Sequence, residues 1–188
     1  QDIIACFGDK SGTMVETMHV RKGRVIGNRW HFLPKVYDDD PREWMTSFLN
    51  QYYSDNIVPD EIILPYDLGG DIHKLLLAVL KERAGFQPQI IHSLDKEYKK
   101  LMELAEANAQ SHFKDYINKR DHRLKGLEEI QAKLKLPQLP HRIECYDISN
   151  FQGEESVASQ VVFEEGVPKK EDYRRYKIKT VVGPDDFA

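Results

Sequence analysis

Three segments in the first third of the chain have the hydrophobic pattern of strands. Residues 2–8 are a short apolar run, residues 13–20 alternate between apolar and polar, and residues 24–33 place Val25, Ile26, Trp30 and Phe32 in a third segment. Turn-forming residues separate them at 9–12 (DKSG) and 21–23 (RKG). In the second segment Met14, Glu16 and Met18 share one face of the strand. The pattern therefore predicts three consecutive antiparallel strands.

Helical and strand patterns then alternate up to residue 92. Asp40 followed by Pro41 is typical of a helix N-terminus, and helically spaced apolar residues follow. Short apolar strands are predicted over 61–65 and 89–92, and between them lies a second amphipathic helix that Gly85 is expected to end. The resulting order, β-β-β-α-β-α-β, predicts a mixed sheet with flanking helices.

The second half of the chain begins with a long helical segment. Residues 93–136 contain Gly126 but no proline, and they predict one long helix or two shorter ones. Pro137 and Pro140 interrupt this pattern, so we place a domain boundary there. A second strand meander is predicted at 142–149, 156–164 and 173–182, with a turn at Glu165 and Gly166. Since three strands do not close a core in this architecture, we expect the second domain to be incomplete.

Composition narrows the possible functions. The 188 residues are 40% apolar and 31% charged, which is typical of a globular protein. With 27 basic and 31 acidic side chains the net charge is −4, so any nucleic-acid surface must be a local patch. No stretch approaches the ~18 apolar residues of a membrane span, so no membrane partner is expected. Cys6 and Cys145 lack metal-site spacing and fit a reducing, cytoplasmic location.

The two strand meanders open on similar residues. IACFG at 4–8 aligns with IECYD at 143–147, sharing isoleucine, cysteine and an aromatic residue. Gly8 then takes the place of Asp147, and Asp9 is one residue out of step, so it would face the other side of the sheet. Two interpretations stay open: a chance match over a short stretch, or two domains of one fold of which the first lacks the acid.

Asp147 is the strongest candidate for chemistry. It lies within a predicted strand among apolar neighbours, so we expect it inside the sheet, where an unpaired carboxylate is costly. A carboxylate in mid-strand is a metal ligand in nucleases built on five-stranded mixed sheets. There Mg²⁺ takes oxygen ligands, polarises a phosphate and generates hydroxide. The alternative from spacing alone is that Asp147 caps a turn or pairs with Arg142 or Arg174.

A basic and aromatic run follows at 168–179 (PKKEDYRRYKIK), with six basic residues against two acidic ones. Lysine and arginine neutralise phosphates, and tyrosine stacks on bases or donates hydrogen bonds. The candidate DNA-binding residues are Lys169, Lys170, Arg174, Arg175, Tyr176, Lys177 and Lys179. The alternative is an edge strand that its lysines keep from aggregating.

Other acidic clusters are better explained as loops or helix caps. They lie at residues 38–40, 67–71 and 185–186. None of the seven histidines has the spacing of a metal motif, and no serine or cysteine nucleophile motif occurs.

Longer motifs carry a resemblance to a known family. Residues 142–179 read RIECYDISNFQGEESVASQVVFEEGVPKKEDYRRYKIK, and GPDDF follows at 183–187. This resembles the start of the C-terminal endonuclease domain of the UvrC family. The stretches IGNRWHF at 26–32 and FLNQYY at 48–53 resemble the region that precedes that domain. The resemblance therefore extends over essentially the whole chain.

The resemblance implies an RNase H-like fold and a role in bacterial nucleotide excision repair. The family makes the cut 5′ to a lesion in damaged double-stranded DNA, as part of the response to DNA damage. Its site is an Asp-Asp-His set with Mg²⁺ or Mn²⁺, and the first Asp corresponds to Asp147. The second Asp and the His are expected beyond Ala188, and contact with UvrB is expected through regions outside this chain.

These expectations combine into one architecture of the mixed α/β class. Residues 1–92 form a catalytically degenerate RNase H-like domain, 93–140 a helical linker, and 141–188 the first three strands of the endonuclease domain. The 188-residue chain alone is expected to be inactive, because one carboxylate cannot build the site. The alternatives are a non-catalytic scaffold that binds DNA or protein, and a transposase or resolvase of the same fold with a third carboxylate in place of the His.

Overall fold

The computed structural model describes residues 1–34, 40–92, 96–151 and 155–178 of the chain. The chain divides into two compact units, Gln1–Tyr116 and Ile117–Ala188. No helix in the described ranges is long and apolar enough to cross a membrane.

A five-stranded mixed sheet forms the centre of the first unit, and all five predicted strands are present. They are β1 (Asp2–Asp9), β2 (Gly12–Arg21), β3 (Arg24–Leu33), β4 (Glu61–Leu64) and β5 (Gln89–His92). The order in the sheet is β3-β2-β1-β4-β5. β2 runs antiparallel to both β1 and β3, and β4 and β5 run parallel to β1. The predicted mixed sheet is confirmed.

Three helices accompany the strands: α1 (Pro41–Asp55), α2 (Gly70–Ala84) and α3 (Lys96–Leu134). The Asp40 carboxylate caps α1 by accepting a hydrogen bond from the Arg42 backbone N–H at 2.9 Å, as predicted. Gly85 ends α2 with a φ of 75°, a left-handed conformation that glycine adopts without steric cost. The charged segment after β5 forms one continuous helix, the first of the two predicted alternatives.

Helices cover both faces of this sheet. On one face the buried residues include Ile4, Val15 and Ile62 of the sheet, Met45 and Leu49 of α1, and Leu76 and Leu80 of α2. On the other face they include Ile3, Met18 and Ile63 of the sheet, and Met102 and Ala105 of α3. The first part of α3, which lies within the predicted linker 93–140, is therefore a layer of the first unit.

Among the described residues of the first unit two carboxylates, Asp2 and Glu16, are buried, and both are paired. Asp2 accepts hydrogen bonds from Arg21 Nη1 at 2.8 Å and from the Tyr53 hydroxyl at 3.1 Å. Glu16 on β2 contacts His112 Nδ1 on α3 at 3.0 Å and also accepts a hydrogen bond from the side chain of Asn28. Burial of a charge is tolerated when such partners are present, so these contacts tie β2 to β3 and α3.

The second unit contains the end of α3 and a four-stranded antiparallel sheet. Its strands are β6 (Arg142–Phe151), β7 (Glu155–Glu164), β8 (Val167–Pro168) and β9 (Arg174–Lys177). β7 pairs with β6 along its whole length, and β8 and β9 pair with opposite ends of β7. Leu127 of α3 is buried in this unit, and Ile143 and Phe163 line a cavity of about 350 Å³ beside it.

The third predicted strand of the second meander differs from the structure. The predicted turn at Glu165 and Gly166 is confirmed, since both residues have positive φ and close a two-residue hairpin. The return strand starts earlier than predicted, because Val167 and Pro168 pair with β7 directly after this turn. A 3-10 helix over Lys170–Asp172 then interrupts the strand before β9. The predicted continuation over 179–182 lies outside the described residues.

We expect the substitution His112→Ala to lower the free energy of unfolding of the chain by about 2 kcal/mol. The buried Glu16 carboxylate would lose one of its two side-chain partners. Urea unfolding followed by circular dichroism measures the change. His122→Ala is the matched control, since His122 is exposed on the same helix. A loss for His112→Ala no larger than that of the control would contradict the assignment.

Candidate functional site

Asp147 lies in a row of three side chains across the sheet of the second unit. It stands opposite Ser159 on β7, and Ser159 stands opposite Arg175 on β9. Directly paired residues of antiparallel strands project to the same face of a sheet. The carboxylate and the guanidinium therefore share one face, and their backbones are about 10 Å apart, which is two strand spacings.

Asp147 is exposed in the structure, so the expectation that it lies inside the sheet is wrong for the described residues. The physical reason is its place in the sheet: β6 is the first strand in the order, and among the described strands it pairs with β7 alone. The apolar neighbours of Asp147 in sequence do not bury it, and the cost of an unpaired buried carboxylate no longer argues for a metal. A site at Asp147 is indicated instead by the row that Asp147, Ser159 and Arg175 form across the sheet.

The opposite face of the same sheet holds a polar network. Glu144 accepts hydrogen bonds from the Tyr146 hydroxyl and Arg142 Nε, each at 2.7 Å, and from Gln160 Nε2 at 2.9 Å. These hydrogen bonds, that from Tyr146 first, hold the pKa of Glu144 below its ordinary value. The Tyr176 hydroxyl donates to Gln160 Oε1 at 2.6 Å. The side chain of Tyr176 therefore belongs to this network, on the face away from Asp147.

Several of the predicted DNA-binding cations have protein partners. Lys169 lies 2.9 Å from Glu164 and 3.5 Å from Asp172, and the contact with Glu164 is the main cause of its raised pKa. Arg174 donates to the backbone carbonyls of Glu171 and Tyr173. Two carboxylates therefore neutralise Lys169. The hydrogen bonds of Arg174 hold its guanidinium near the 3-10 helix.

Two predicted cations share the face of Asp147. Arg175 belongs to its row, and Lys177 lies two residues further along β9, on the same face. Both side chains are exposed. Lys170 is also exposed but sits in the 3-10 helix, and Lys179 lies outside the described residues. The role of all seven residues in DNA binding stays a prediction.

Gly8, which aligns with Asp147 in the short sequence match, cannot take a side chain on this backbone without a shift of its neighbours. Gly8 on β1 stands opposite Thr13 on β2. A Cβ atom added to Gly8 would lie 2.5 Å from the Gly12 carbonyl oxygen and 2.6 Å from Thr13 Oγ1. Asp9 does not replace it, because its carboxylate accepts a hydrogen bond from the Ser11 backbone N–H at 2.7 Å and so closes the β1–β2 turn.

The described residues do not by themselves complete a metal site. They contain no group of three or more His, Cys, Asp or Glu side chains that could hold an ion. Asp67 accepts a hydrogen bond from the Gly69 backbone N–H, and Asp71 lies in the first turn of α2, as expected for a loop and a helix start. Asp38, Asp39, Asp185 and Asp186 lie outside the described residues. Asp147 would supply one oxygen ligand, which fits Mg²⁺ or Mn²⁺ only in part.

Family comparisons agree with this arrangement of two units. Residues 1–116 match the family described as the UvrC ribonuclease H-like domain, and residues 131–188 match the UvrC RNase H endonuclease domain. The second match includes Asp147, Arg175 and Lys177.

Individual relatives cover the whole chain. A protein of Bdellovibrio bacteriovorus named UvrABC system protein C is 54% identical over 100% of this chain and 30% of its own length. The protein of the same name from Syntrophotalea carbinolica is 35% identical over the same shares. The solved structure of YeaZ from Pseudomonas aeruginosa aligns with 99% of this chain and 74% of its own length at 14% identity. The TM-score of 0.21 is too low to show a shared fold.

This chain thus spans about a third of the length of the curated relatives it matches. Its first unit, with a mixed five-stranded sheet, and the segment that holds Asp147 each match a domain of one family. The chain belongs to the UvrC family.

Proposed function

We propose that this chain is part of the incision subunit of bacterial nucleotide excision repair, a divalent-metal-dependent endonuclease that cuts damaged DNA 5′ to the lesion. The observation that carries the proposal is the exposed row of Asp147, Ser159 and Arg175, within a segment that matches an endonuclease domain. A carboxylate and a cation on one open face suit a metal-bound phosphate and its neighbour along the DNA backbone.

In this proposal Asp147 would be one oxygen ligand of Mg²⁺ or Mn²⁺, an ion that when bound would polarise the scissile phosphate and lower the pKa of a bound water. Arg175 and Lys177 neutralise phosphates on the same face. The remaining ligands, an Asp and a His by resemblance to the family, are not among the described residues. For that reason the 188-residue chain does not cut DNA by itself.

The first unit is proposed to be a catalytically degenerate RNase H-like domain. Its strand order supports the fold, and the crowding around Gly8 supports the loss of the carboxylate. The proposed domain order is a degenerate domain at 1–92, a helical linker at 93–140 and the start of the endonuclease domain at 141–188. The first part of α3 packs on the sheet of the first unit, so this linker is anchored at its start.

Damaged duplex DNA is the proposed substrate and the cytoplasm the proposed location. Contact with UvrB is assigned to parts of the protein outside this chain. A second candidate function is a non-catalytic scaffold that binds DNA while another region cuts. The exposure of Asp147 favours that candidate only if no metal binds there, and the next experiment separates the two.

The substitution Asp147→Asn in the full-length protein is expected to slow nicking 5′ to a lesion by at least about 100-fold with Mg²⁺ or Mn²⁺ present. The amide keeps the shape of the side chain but removes the charge that a divalent ion needs. Nicking of a lesion-containing duplex and binding to the same duplex are measured side by side. Glu171→Gln, an exposed change in the same unit, is the control. Unchanged nicking by Asp147→Asn would favour the scaffold.

The double substitution Arg175→Gln with Lys177→Gln is expected to weaken binding to duplex DNA. It should also reduce the slope of log affinity against log salt by about 0.9 for each lost phosphate contact. Binding of the full-length protein is titrated at several salt concentrations. Arg174→Gln serves as the comparison, because that cation lies on the opposite face and is held by backbone carbonyls. Equal loss of slope for Arg174→Gln would disprove the proposed binding face.

A further inference from the structure

An aromatic cleft of about 560 Å³ opens at the edge of the sheet in the first unit. Its aromatic lining is Trp30, His31, Phe32, Phe48, Tyr52 and Tyr116. Because side chains alternate along β3, Trp30 and Phe32 lie on one side of the strand and His31 on the other. The Phe32 and Tyr116 rings stack with centroids 4.2 Å apart, and His31 meets Phe48 edge to face at 5.5 Å. Rigid aromatic walls therefore border the cleft on both sides of the strand.

Trp30 leaves 47% of its surface exposed in this cleft. Its ring leans against His112 and Tyr116 of α3, with centroids 5.8 Å and 6.3 Å away, so its position is fixed from behind. A large aromatic ring that is held in place and half exposed adds little to the core. It is, however, a ready surface for stacking against another flat ring.

His31 adds a polar atom without a partner. Its Nδ1 is buried and has no hydrogen-bond partner among the described residues. Burial, and to a lesser extent Arg29, lower the pKa of His31 below its ordinary value, so the ring is neutral at neutral pH. A buried polar nitrogen that lacks a partner is uncommon in folded proteins. This nitrogen is buried on the side of β3 away from Trp30, so a base stacked on Trp30 does not reach it.

Three exposed cations lie along the same strand and the turn before it. Lys22, Arg24 and Arg29 form no ion pair with any described residue. Arg29 Nη1 donates to Asn56 Oδ1 at 2.8 Å, and Asn56 lines the cleft, so this guanidinium stands at its rim. Asp55 is the one acidic residue in the lining. The rim and strand therefore carry a net positive charge, which is complementary to a phosphate backbone.

We propose that this cleft binds an unpaired nucleotide of DNA, with the base stacked on Trp30. The backbone phosphates would then follow Arg29, Arg24 and Lys22 along β3. Stacking on an exposed aromatic ring beside a row of cations is how proteins hold single strands without sequence preference. The proposal rests on the proposed function only in taking DNA as the ligand, and it gives the first unit a role that needs no carboxylate.

Tryptophan fluorescence tests the proposal directly, because the chain has two tryptophans, Trp30 and Trp44. An oligothymidylate of about eight nucleotides is expected to quench the emission of the 188-residue chain. Trp30→Ala should weaken binding of the same oligonucleotide about 10-fold, measured by anisotropy of a fluorescent label. Trp30→Phe should keep most of the affinity while losing the quenching, since a phenyl ring still stacks.

Trp44→Phe is the matched control and should retain both the affinity and the quenching. Circular dichroism of each variant establishes that it is folded, and Trp30→Phe tests the site even if Trp30→Ala does not fold. The absence of oligothymidylate binding, or wild-type affinity in a folded Trp30→Ala, would overturn the proposal. Quenching that disappears with Trp44→Phe and persists with Trp30→Phe would overturn it as well. If oligothymidylate does not bind, a protein segment becomes the candidate occupant of the cleft.

The outcome is independent of the proposed incision chemistry. Trp30 quenching is also measured in the Arg175→Gln, Lys177→Gln background, where it should persist, because these cations lie in the second unit. Loss of nicking in Asp147→Asn with no response of Trp30 would refute the cleft alone. A Trp30 response with unchanged nicking in Asp147→Asn would refute the incision proposal alone.

Discussion

Burial of β1 on both faces is the constraint on which the first unit depends. Ile3 and Ile4 are neighbours in the chain, project to opposite sides of the sheet and are both fully buried. Each face therefore needs its own helical layer. α1 and α2 cover one face and the first part of α3 covers the other. Removing α3 would expose Ile3 and Ile63, at about 25 cal/mol for each Å² of apolar surface. The paired Glu16 and His112 fix the same layer with a polar contact.

Local chemistry made much of this fold predictable from the sequence. Strands β3 and β5 have the predicted bounds. Asp40 caps α1 and Gly85 ends α2 at the predicted positions. Other features depend on partners far along the chain. Leu75 and Val79 fit the helical period but are exposed, because the layer that meets α2 covers only a narrower stripe around Leu76 and Leu80. Glu16 contacts His112, which lies 96 residues away in the sequence, and no local pattern predicts such a contact.

In the candidate site, too, features set by the local sequence were predictable and features set by distant partners were not. The period of two that holds for any strand is enough to separate Arg175 and Lys177 from Arg174 and Tyr176, and the register of β9 agrees with it. This period did not show that Lys169 is neutralised by Glu164 and Asp172, since that depends on β8 and on the 3-10 helix over Lys170–Asp172, neither of which the sequence pattern predicted. The apolar neighbours of Asp147 suggested burial, but burial depends on what lies beside β6 and not on the residues next to it in sequence.

The crowding around Gly8 also bears on how such a chain can change over time. Any side chain at this position meets the Gly12 carbonyl and Thr13 before it meets solvent. A single codon change to aspartate would therefore disturb the β1–β2 hairpin before it could create a ligand. The backbone at Gly12 and Thr13 would have to shift first, in a step that brings no catalytic benefit of its own. A carboxylate at position 8 therefore requires a change of the β1–β2 turn as well as the substitution itself.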